Sequence, residues 1–490
     1  STGQAPRHQL TPHLAMELSS WLIIAYTLTV LGVIGTVLSE NRNPLKASAW
    51  ILIVGLIPVF GIMVYIVFGQ DQKRLNSINR RFYRRLMLKP QRLSLPKHLL
   101  KKRQATEEHQ RLIELVERNS DSPLLQLQSL DIYAWGADMY EALFADLEQA
   151  EEYIHLQAYI FGADDVLDRL TDILLRKAEE GVTIRIIYDH LGSYNVPSSY
   201  WKRLRRVGIQ VYAFMRVAFP LLSTTVNYRN HRKIVVIDGS IGYVGGMNFA
   251  QRYLTGSELG RWRDTHFRIT GVAVAGLQSS FLIDWYAVSR KVINVDRYFD
   301  PATEPNEYSP SVQFVQGGPI SHWRTIEQAI IYMISRASQS ICIQTPYFLP
   351  TENLNNALIT AALAGVKVEL MLPLKTDSRL TTFAANSYLT QLLEAGVKIY
   401  QYTDGFLHSK LLLVDDQIAT IGSANMDFRS LEHNFEISGI IYDSGTAKRL
   451  RTLFDQDKTS CHLLTYGEWE QRGRMVRFAE SFMRLFAPLL

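Results

Sequence analysis

Two long stretches of the chain carry no charge at all. Residues 18–39 and 47–69 each exceed the ~20 residues a helix needs to cross ~30 Å of hydrocarbon. Trp21 and Trp50 stand near the two starts, where amphipathic rings favour a membrane interface. Pro58 should bend the second helix, which a bilayer span tolerates. Only residues 40–46 separate the runs, so the pattern predicts a helical hairpin across a membrane. A cleaved signal peptide fits less well: the first run is longer than a usual signal core, no small-residue cleavage site stands out, and a second run follows at once. The polar tail 1–17 contains Met16, a natural place for the chain to start, with residues 1–15 then a non-native extension.

Beyond residue 124 the apolar positions change rhythm, and the pattern repeats. Tyr-Ile-His-Leu-Gln-Ala-Tyr at 153–159 leads through a helical stretch to Gly-Val-Thr-Ile-Arg-Ile-Ile at 181–187. Ser-Ile-Cys-Ile-Gln-Thr-Pro-Tyr at 340–347 leads likewise to Gly-Val-Lys-Val-Glu-Leu-Met at 365–371. A further helix and a Gly-led strand follow in both, at 208–212 and 396–400. Strand, helix, strand, helix, strand predicts α/β layering with parallel pairing. Two copies in the same order predict a duplicated domain, 125–300 and 301–490, with the boundary in the Pro-rich stretch 301–310.

Charge sharpens this picture. The chain has 490 residues and a net charge of +5, yet residues 71–104 hold twelve Lys/Arg against one acid, a local +11 that leaves −6 for the remainder. A basic linker over 71–124 wants an anionic partner, nucleic acid or anionic lipid. Its place after the second apolar run puts the large C-terminal part on the cytoplasmic side. Arg80, Arg81, Arg84 and Arg85 alternate with Phe82, Leu86 and Leu88 at helical spacing, which suits either a segment along an anionic leaflet or a solvated linker helix. The two cysteines, Cys342 and Cys461, exclude a disulfide framework and a four-thiolate metal site.

Each repeat carries the same chemistry. His231 and Lys233 precede Asp238; His408 and Lys410 precede Asp415; both follow His-x-Lys-x-x-x-x-Asp at matching places in the repeat. Residues two apart on a strand share a face, so each His and its Lys point into one space. The odd spacing turns Asp238 and Asp415 away to brace a hairpin. Asn248 and Asn425 lie seventeen positions past their histidines, and an acid follows each, Asp264 in the first copy and Glu436 in the second. These types suit phosphoryl transfer without a metal. A neutral imidazole attacks phosphorus, and a protonated one donates to the leaving oxygen. Two ammoniums and two amides hold the non-bridging oxygens, and carboxylates orient the rings. A zinc site fits poorly, because the His/Cys spacings are wrong.

With these paired motifs the chain resembles the phospholipase D superfamily, and with the N-terminal apolar pair it resembles bacterial cardiolipin synthases in particular. The resemblance covers residues 16–490. It implies two tandem phospholipase D-like α/β domains about a pseudo-twofold axis, behind a two-helix transmembrane hairpin at 18–70. It implies a catalytic set of His231, Lys233, Asp238, His408, Lys410 and Asp415, supported by Asn248, Asn425, Asp264 and Glu436. By analogy His231 is the nucleophile and His408 the general acid, although the near-symmetry of the motifs does not itself choose between them. One phosphatidylglycerol would give a phosphatidyl-histidine and glycerol, and a second would accept the group, forming cardiolipin. No cofactor or metal and no nucleic acid is expected; the partners are phosphatidylglycerol and anionic membrane lipid, and a homo-oligomer is left open. A phospholipase D-type hydrolase, a phosphatidylserine synthase, a nuclease or an inactive scaffold are the competing readings. Two segments offer lipid access: the apolar stretch 214–222, against ordinary core, and a terminal helix with Arg477, Phe478, Phe482, Arg484, Leu485 and Phe486, against docking on the protein.

Overall fold

The computed structural model describes residues 12–39, 44–65, 107–216, 228–291, 293, 298–299, 309–485 and 487. The basic block 71–104, positions 217–222, the boundary residues 301–308 and Phe486 lie outside the described residues. The chain divides into two units.

The described residues of the first unit are helical. Pro12–Ser39 is one helix, and the second apolar run is split into Pro44–Leu56 and Pro58–Val64. The break is where Pro58 predicts it. Ile57 leaves helical geometry (φ −130°, ψ 70°), and Pro58 begins the next helix, where its missing N–H costs nothing. Val37, Trp50, Val54 and Tyr65 form a small buried cluster, with Trp50 edge-on to Tyr65 at 5.4 Å. Trp21, Ile23, Leu28, Leu31, Leu56, Val59, Phe60 and Met63 are exposed. Among the described residues, no helix is long and apolar enough to cross a membrane.

The second unit is built on two sheets, one for each repeat. The eight-stranded sheet runs Phe406–Leu407, Trp262–Thr270, Ile241–Gly245, Ile234–Ile237, Tyr153–Ala158, Thr183–Asp189, Gln210–Phe214, with Ser129–Trp135 also paired to Trp262–Thr270. The nine-stranded sheet runs Leu125–Gln126, Ser311–Gly317, Glu436–Tyr442, Ile418–Gly422, Leu411–Val414, Ser340–Gln344, Lys367–Pro373, Lys398–Tyr402, Cys461–Leu464. The repeated strands pair in parallel, as their spacing predicts. Each repeat also lends the other a strand. Leu125–Gln126 pairs with Ser311–Gly317, and Phe406–Leu407 pairs with Trp262–Arg263.

Alternation along the motif strands explains how the layers meet. Val235 and Ile237 face the first repeat's own helices; Ile234 and Val236 face a core shared by both repeats. Leu412 and Val414 face outward in the same sense, and Leu411 and Leu413 join the shared core. Strands buried on both faces read as unbroken apolar runs, which is what the sequence shows. Helix Val274–Ser289 is buried almost throughout and adds Phe281 and Trp285 to the shared core; helix Ser444–Lys458 adds Leu450 and Phe454.

The local signals are consistent with this plan. Helix Asp165–Glu179 is capped by Asp164, which accepts from the Leu167 N–H, and it buries Val166, Leu167, Leu170, Ile173 and Leu174 on one face. The motif hairpins turn through left-handed pairs: Asp238 and Gly239 (φ 49° and 66°), and Asp415 and Asp416 (both 53°). Two positive φ values in a two-residue turn match the right-handed twist of the strands, and Asp and Gly tolerate them best. Phe214 is core, edge-on to Phe435 at 5.1 Å. Helix Arg474–Arg484 packs on helix Arg379–Glu394, with Glu480 buried and bonded to Asn386 at 3.1 Å. Its other face exposes Met475, Phe478, Phe482 and Leu485.

Asp238 accepts from the N–H groups of Glu151, Glu152 and Tyr153 at 2.8, 2.9 and 2.7 Å. Asp415 does the same for Ser338, Gln339 and Ser340 at 2.7, 2.7 and 2.8 Å. Each aspartate therefore fixes the start of the central strand beside its hairpin. Replacing either by Ala leaves three backbone donors without their carboxylate. The expected cost is about 2 kcal/mol of stability, read as a lower denaturant midpoint with an unchanged slope.

Candidate active site

His231–Lys233 and His408–Lys410 are extended lead-ins to their strands, which begin at Ile234 and Leu411. Backbone bonds to the opposite repeat hold them. The His231 N–H donates to the Phe435 carbonyl at 2.9 Å, and the Phe435 N–H donates to the Arg229 carbonyl at 2.9 Å. The His408 N–H donates to the Arg263 carbonyl at 2.7 Å, and the Phe406 N–H to the Arg261 carbonyl at 2.8 Å. The main chain of each histidine is thus tied to the residue just before the other repeat's acid.

The side chains cross in the same way. His231 Nδ1 lies 3.0 Å from Glu436 Oε1, and His408 Nδ1 lies 2.6 Å from Asp264 Oδ2. Chain order set Asp264 beside the first motif and Glu436 beside the second; the structure exchanges them. Both carboxylates take Nδ1, so Nε2 is the ring nitrogen left for chemistry in each case. The electrostatics join the two motifs at one centre: Lys410 acts on His231, and Lys233 acts on His408.

Burial dominates the titration of this centre. It lowers His231 below its ordinary value, with Lys233 and Lys410 adding to the effect and Glu436 opposing it. It lowers His408 to about 3, helped by Lys410 and opposed by Asp264. It brings Lys233 to about 7 and Lys410 to about 8. Burial works against both carboxylates too, yet Lys410 and His408 hold Asp264 below its usual range, and His231 and Lys233 do the same for Glu436. A phosphodiester anion among these groups would favour the charged form of every base there.

The remaining expected residues divide. Lys233 Nζ is 2.6 Å from the His231 carbonyl, and Lys410 Nζ bonds the His408 carbonyl and lies 3.9 Å from Asp264. Asn248 accepts from the Ile160 N–H and donates to the Tyr253 hydroxyl, both at 3.0 Å. Asn425 donates to Asp427 at 3.2 Å. Asp238 and Asp415, grouped by motif with the catalytic set, lie at the far ends of their strands, bonded to backbone rather than to either imidazole. Among the described residues, no group of His, Cys, Asp and Glu could hold a metal ion.

Several supports carry no plain signal in sequence. Arg232 donates to the Glu436 carbonyl at 3.2 Å and to Asp284 at 2.9 Å, while its counterpart Ser409 bonds Thr265 at 2.8 Å. These sit at the free position of the motif, so their type differs between copies. Ser423 bonds Glu436, whereas the matching Gly246 has no room for a side chain because Asp264 occupies the space. Tyr159 stands edge-on to His231 at 5.0 Å, and Trp262 packs on His408 at 5.1 Å. The repeated Gln-to-Tyr ending of the strands at 157–159 and 344–347 is the one signal that could have found Tyr159.

Comparison with known proteins matches both repeats to one family. Residues 143–260 and 330–458 match the family described as cardiolipin synthase, PLD-like domain, and residues 21–70 match a phospholipase D-nuclease N-terminal family. A cardiolipin synthase of Geobacillus kaustophilus is 39% identical over 92% of this chain and 90% of its own length. The major cardiolipin synthase ClsA of Bacillus subtilis is 37% identical over 97% of this chain and all of its own. A phosphatidylserine synthase from Haemophilus influenzae superposes with a TM-score of 0.61 at 16% identity, over 78% of this chain and all of that one, a likeness of fold.

The crossed pairs make a signed prediction. Glu436 raises the proton affinity of His231, so Glu436→Gln should shift the acid limb of the pH–rate profile to lower pH. The same change should cut the rate about 100-fold through loss of ring orientation. An upward shift would contradict the pairing. On the alkaline side, Lys233 and Lys410 lose their protons as pH rises through about 7 and 8. KM for an anionic phosphodiester should therefore climb above about pH 8, with a smaller change in kcat.

Proposed function

The chain belongs to the cardiolipin synthase family of the phospholipase D superfamily, and from that membership we propose that it joins two phosphatidylglycerols into cardiolipin and glycerol through a phosphatidyl-histidine at His231. The observation that carries the mechanism is the crossed pair of imidazole–carboxylate bonds. His231 Nε2 attacks the phosphorus of the first lipid. The P–O bond to glycerol breaks, and His408 Nε2–H supplies the proton to the departing oxygen. The headgroup hydroxyl of the second lipid then gives its proton to His408 and attacks the same phosphorus, releasing His231. The two carboxylate contacts, 2.6 Å at His408 and 3.0 Å at His231, are near-symmetric, and Lys410 opposes Asp264 from 2.8 Å at the same His408 nitrogen, so the adduct experiment below assigns the nucleophile. Lys233 and Lys410 bear the charge that builds on the non-bridging oxygens.

This reading includes the membrane. The uncharged runs 18–39 and 47–69 would form a hairpin, with the outward Trp21, Ile23, Leu28, Leu56, Val59 and Phe60 facing lipid. The basic block after them would lie on the anionic cytoplasmic leaflet, with the catalytic unit on that side. The exposed face of helix Arg474–Arg484, with Phe478 and Phe482 beside Arg477 and Arg484, suits the same surface.

Purified protein in phosphatidylglycerol vesicles should release glycerol and form cardiolipin in equal amounts, with chelator present and no nucleotide added. Phosphatidic acid as the main product would instead indicate a hydrolase. His231→Ala should abolish an acid-labile lipid adduct, and His408→Ala should let one persist; an adduct on His408 would reverse the roles. For the terminal helix, Phe478→Glu with Phe482→Glu should lower activity on vesicles several-fold more than activity on detergent-dispersed lipid.

A further inference from the structure

The two flanks of the centre are not alike, although the repeats that form them are. Beside His231, the charges of Asp189, Arg429 and Arg229 reach Tyr159. Beside His408, the corresponding tyrosine, Tyr347, donates from its hydroxyl to Asp377 at 2.7 Å. Asp427 adds a second acid on this flank, held by the Ser430 N–H at 2.6 Å and the Asn425 amide at 3.2 Å. Both acids act on the Lys410 ammonium. The matching positions in the first repeat are Ser193 and Ala250, so that flank lacks these two acids; its own acid, Asp189, is buried and paired with Arg229 at 3.4 Å.

Asn425 shows what this side is built to meet. The residue is 6% exposed, and its Nδ2 is committed to Asp427. Its Oδ1 is buried and has no partner among the described residues. Rotating the amide would set an oxygen against the Asp427 carboxyl, so the observed orientation is the favourable one. A buried carbonyl oxygen needs a donor. A phosphate oxygen cannot supply one, and a hydroxyl can. In the first repeat the equivalent atom, Asn248 Oδ1, is already satisfied by the Ile160 N–H.

We propose that Asn425 Oδ1, Asp427 and Asp377 form a polyol subsite on the His408 flank, which takes the hydroxyls of the glycerol headgroup both as it leaves the first lipid and as it arrives on the second. This rests on the transfer reaction above and specifies where its headgroup sits. The flank that offers acceptors to hydroxyls is the one whose imidazole exchanges a proton with them. Water, with one small oxygen, gains less from several spaced acceptors than a glycerol does, so the subsite also favours transfer over hydrolysis.

The test separates the headgroup from the chemistry. The full-length protein is given a phosphatidyl donor with a nitrophenyl leaving group, and glycerol is added as acceptor. Nitrophenol release reports attack on phosphorus. The ratio of phosphatidylglycerol to phosphatidic acid reports capture by glycerol against water. Asp427→Ala is expected to lower that ratio at least tenfold and to raise the half-saturating glycerol concentration similarly; the ratio is set after attack on phosphorus, so it is read independently of the rate of nitrophenol release. Asp377→Ala, at an exposed position, should act in the same direction by several-fold and guards against a folding defect in the buried variant. An unchanged ratio in both variants would overturn the subsite. Failure of the unaltered protein to make cardiolipin from phosphatidylglycerol alone would overturn the function instead, and is scored in a separate assay.

Discussion

Two hydrogen bonds that cross between the repeats govern this structure. His231 is oriented by Glu436 and His408 by Asp264, so neither repeat holds a finished imidazole–carboxylate pair of its own. Backbone bonds from His231 to Phe435 and from His408 to Arg263 repeat the crossing at the main chain. A separation of the repeats would strip both rings of their carboxylates at once and leave two buried acids without counter-charges, which is strongly unfavourable. The shared core around Phe281, Trp285, Leu411 and Ile437 is what prevents it. Packing and catalysis are coupled here through the same interface.

The sequence made the repeat, the parallel strands and the paired motifs plain, because each rests on local periodicity. It also foretold the break at Pro58 and the turned-away placement of Asp238 and Asp415, both consequences of backbone geometry. What it hid is long-range. Asp264 and Glu436 stand at similar places after their motifs, and nothing local says that each serves the other's histidine. The exchanged strands Leu125–Gln126 and Phe406–Leu407 are two residues long, too short to show a pattern. The second apolar run reads as one span but folds as two helices, since the proline signal marks a bend without giving its extent. At Asn425 the motif spacing matches Asn248 while the bonding differs, because the residue two positions on is Asp427 in one copy and Ala250 in the other.

Duplication gives a symmetric scaffold, and the reaction needs an asymmetric one. One ring must attack while the other carries a proton. The substitutions that break the symmetry lie around the rings rather than in the motifs: Asp264 against Glu436, Gly246 against Ser423, Arg232 against Ser409. The short Asp264 side chain and the absent Gly246 side chain belong together, since any larger residue at 246 would strike that carboxylate. In the second copy the longer Glu436 side chain carries its carboxylate to the Ser423 hydroxyl instead.

Charge balance explains why the substrate itself would arm the site. Two ammoniums, Lys233 and Lys410, face two ionised carboxylates, Asp264 and Glu436, while burial and the charge of Glu436 raise Asp427 above its ordinary value. With the ammoniums protonated these four charges sum to zero, and burial with the neighbouring lysines lowers the proton affinity of both imidazoles. A phosphodiester brings one negative charge. The cheapest way to restore neutrality is a single proton on one ring. The other ring stays neutral and nucleophilic. One anion thus produces the acid and leaves the nucleophile, which requires both rings, both ammoniums and both carboxylates to share one desolvated space.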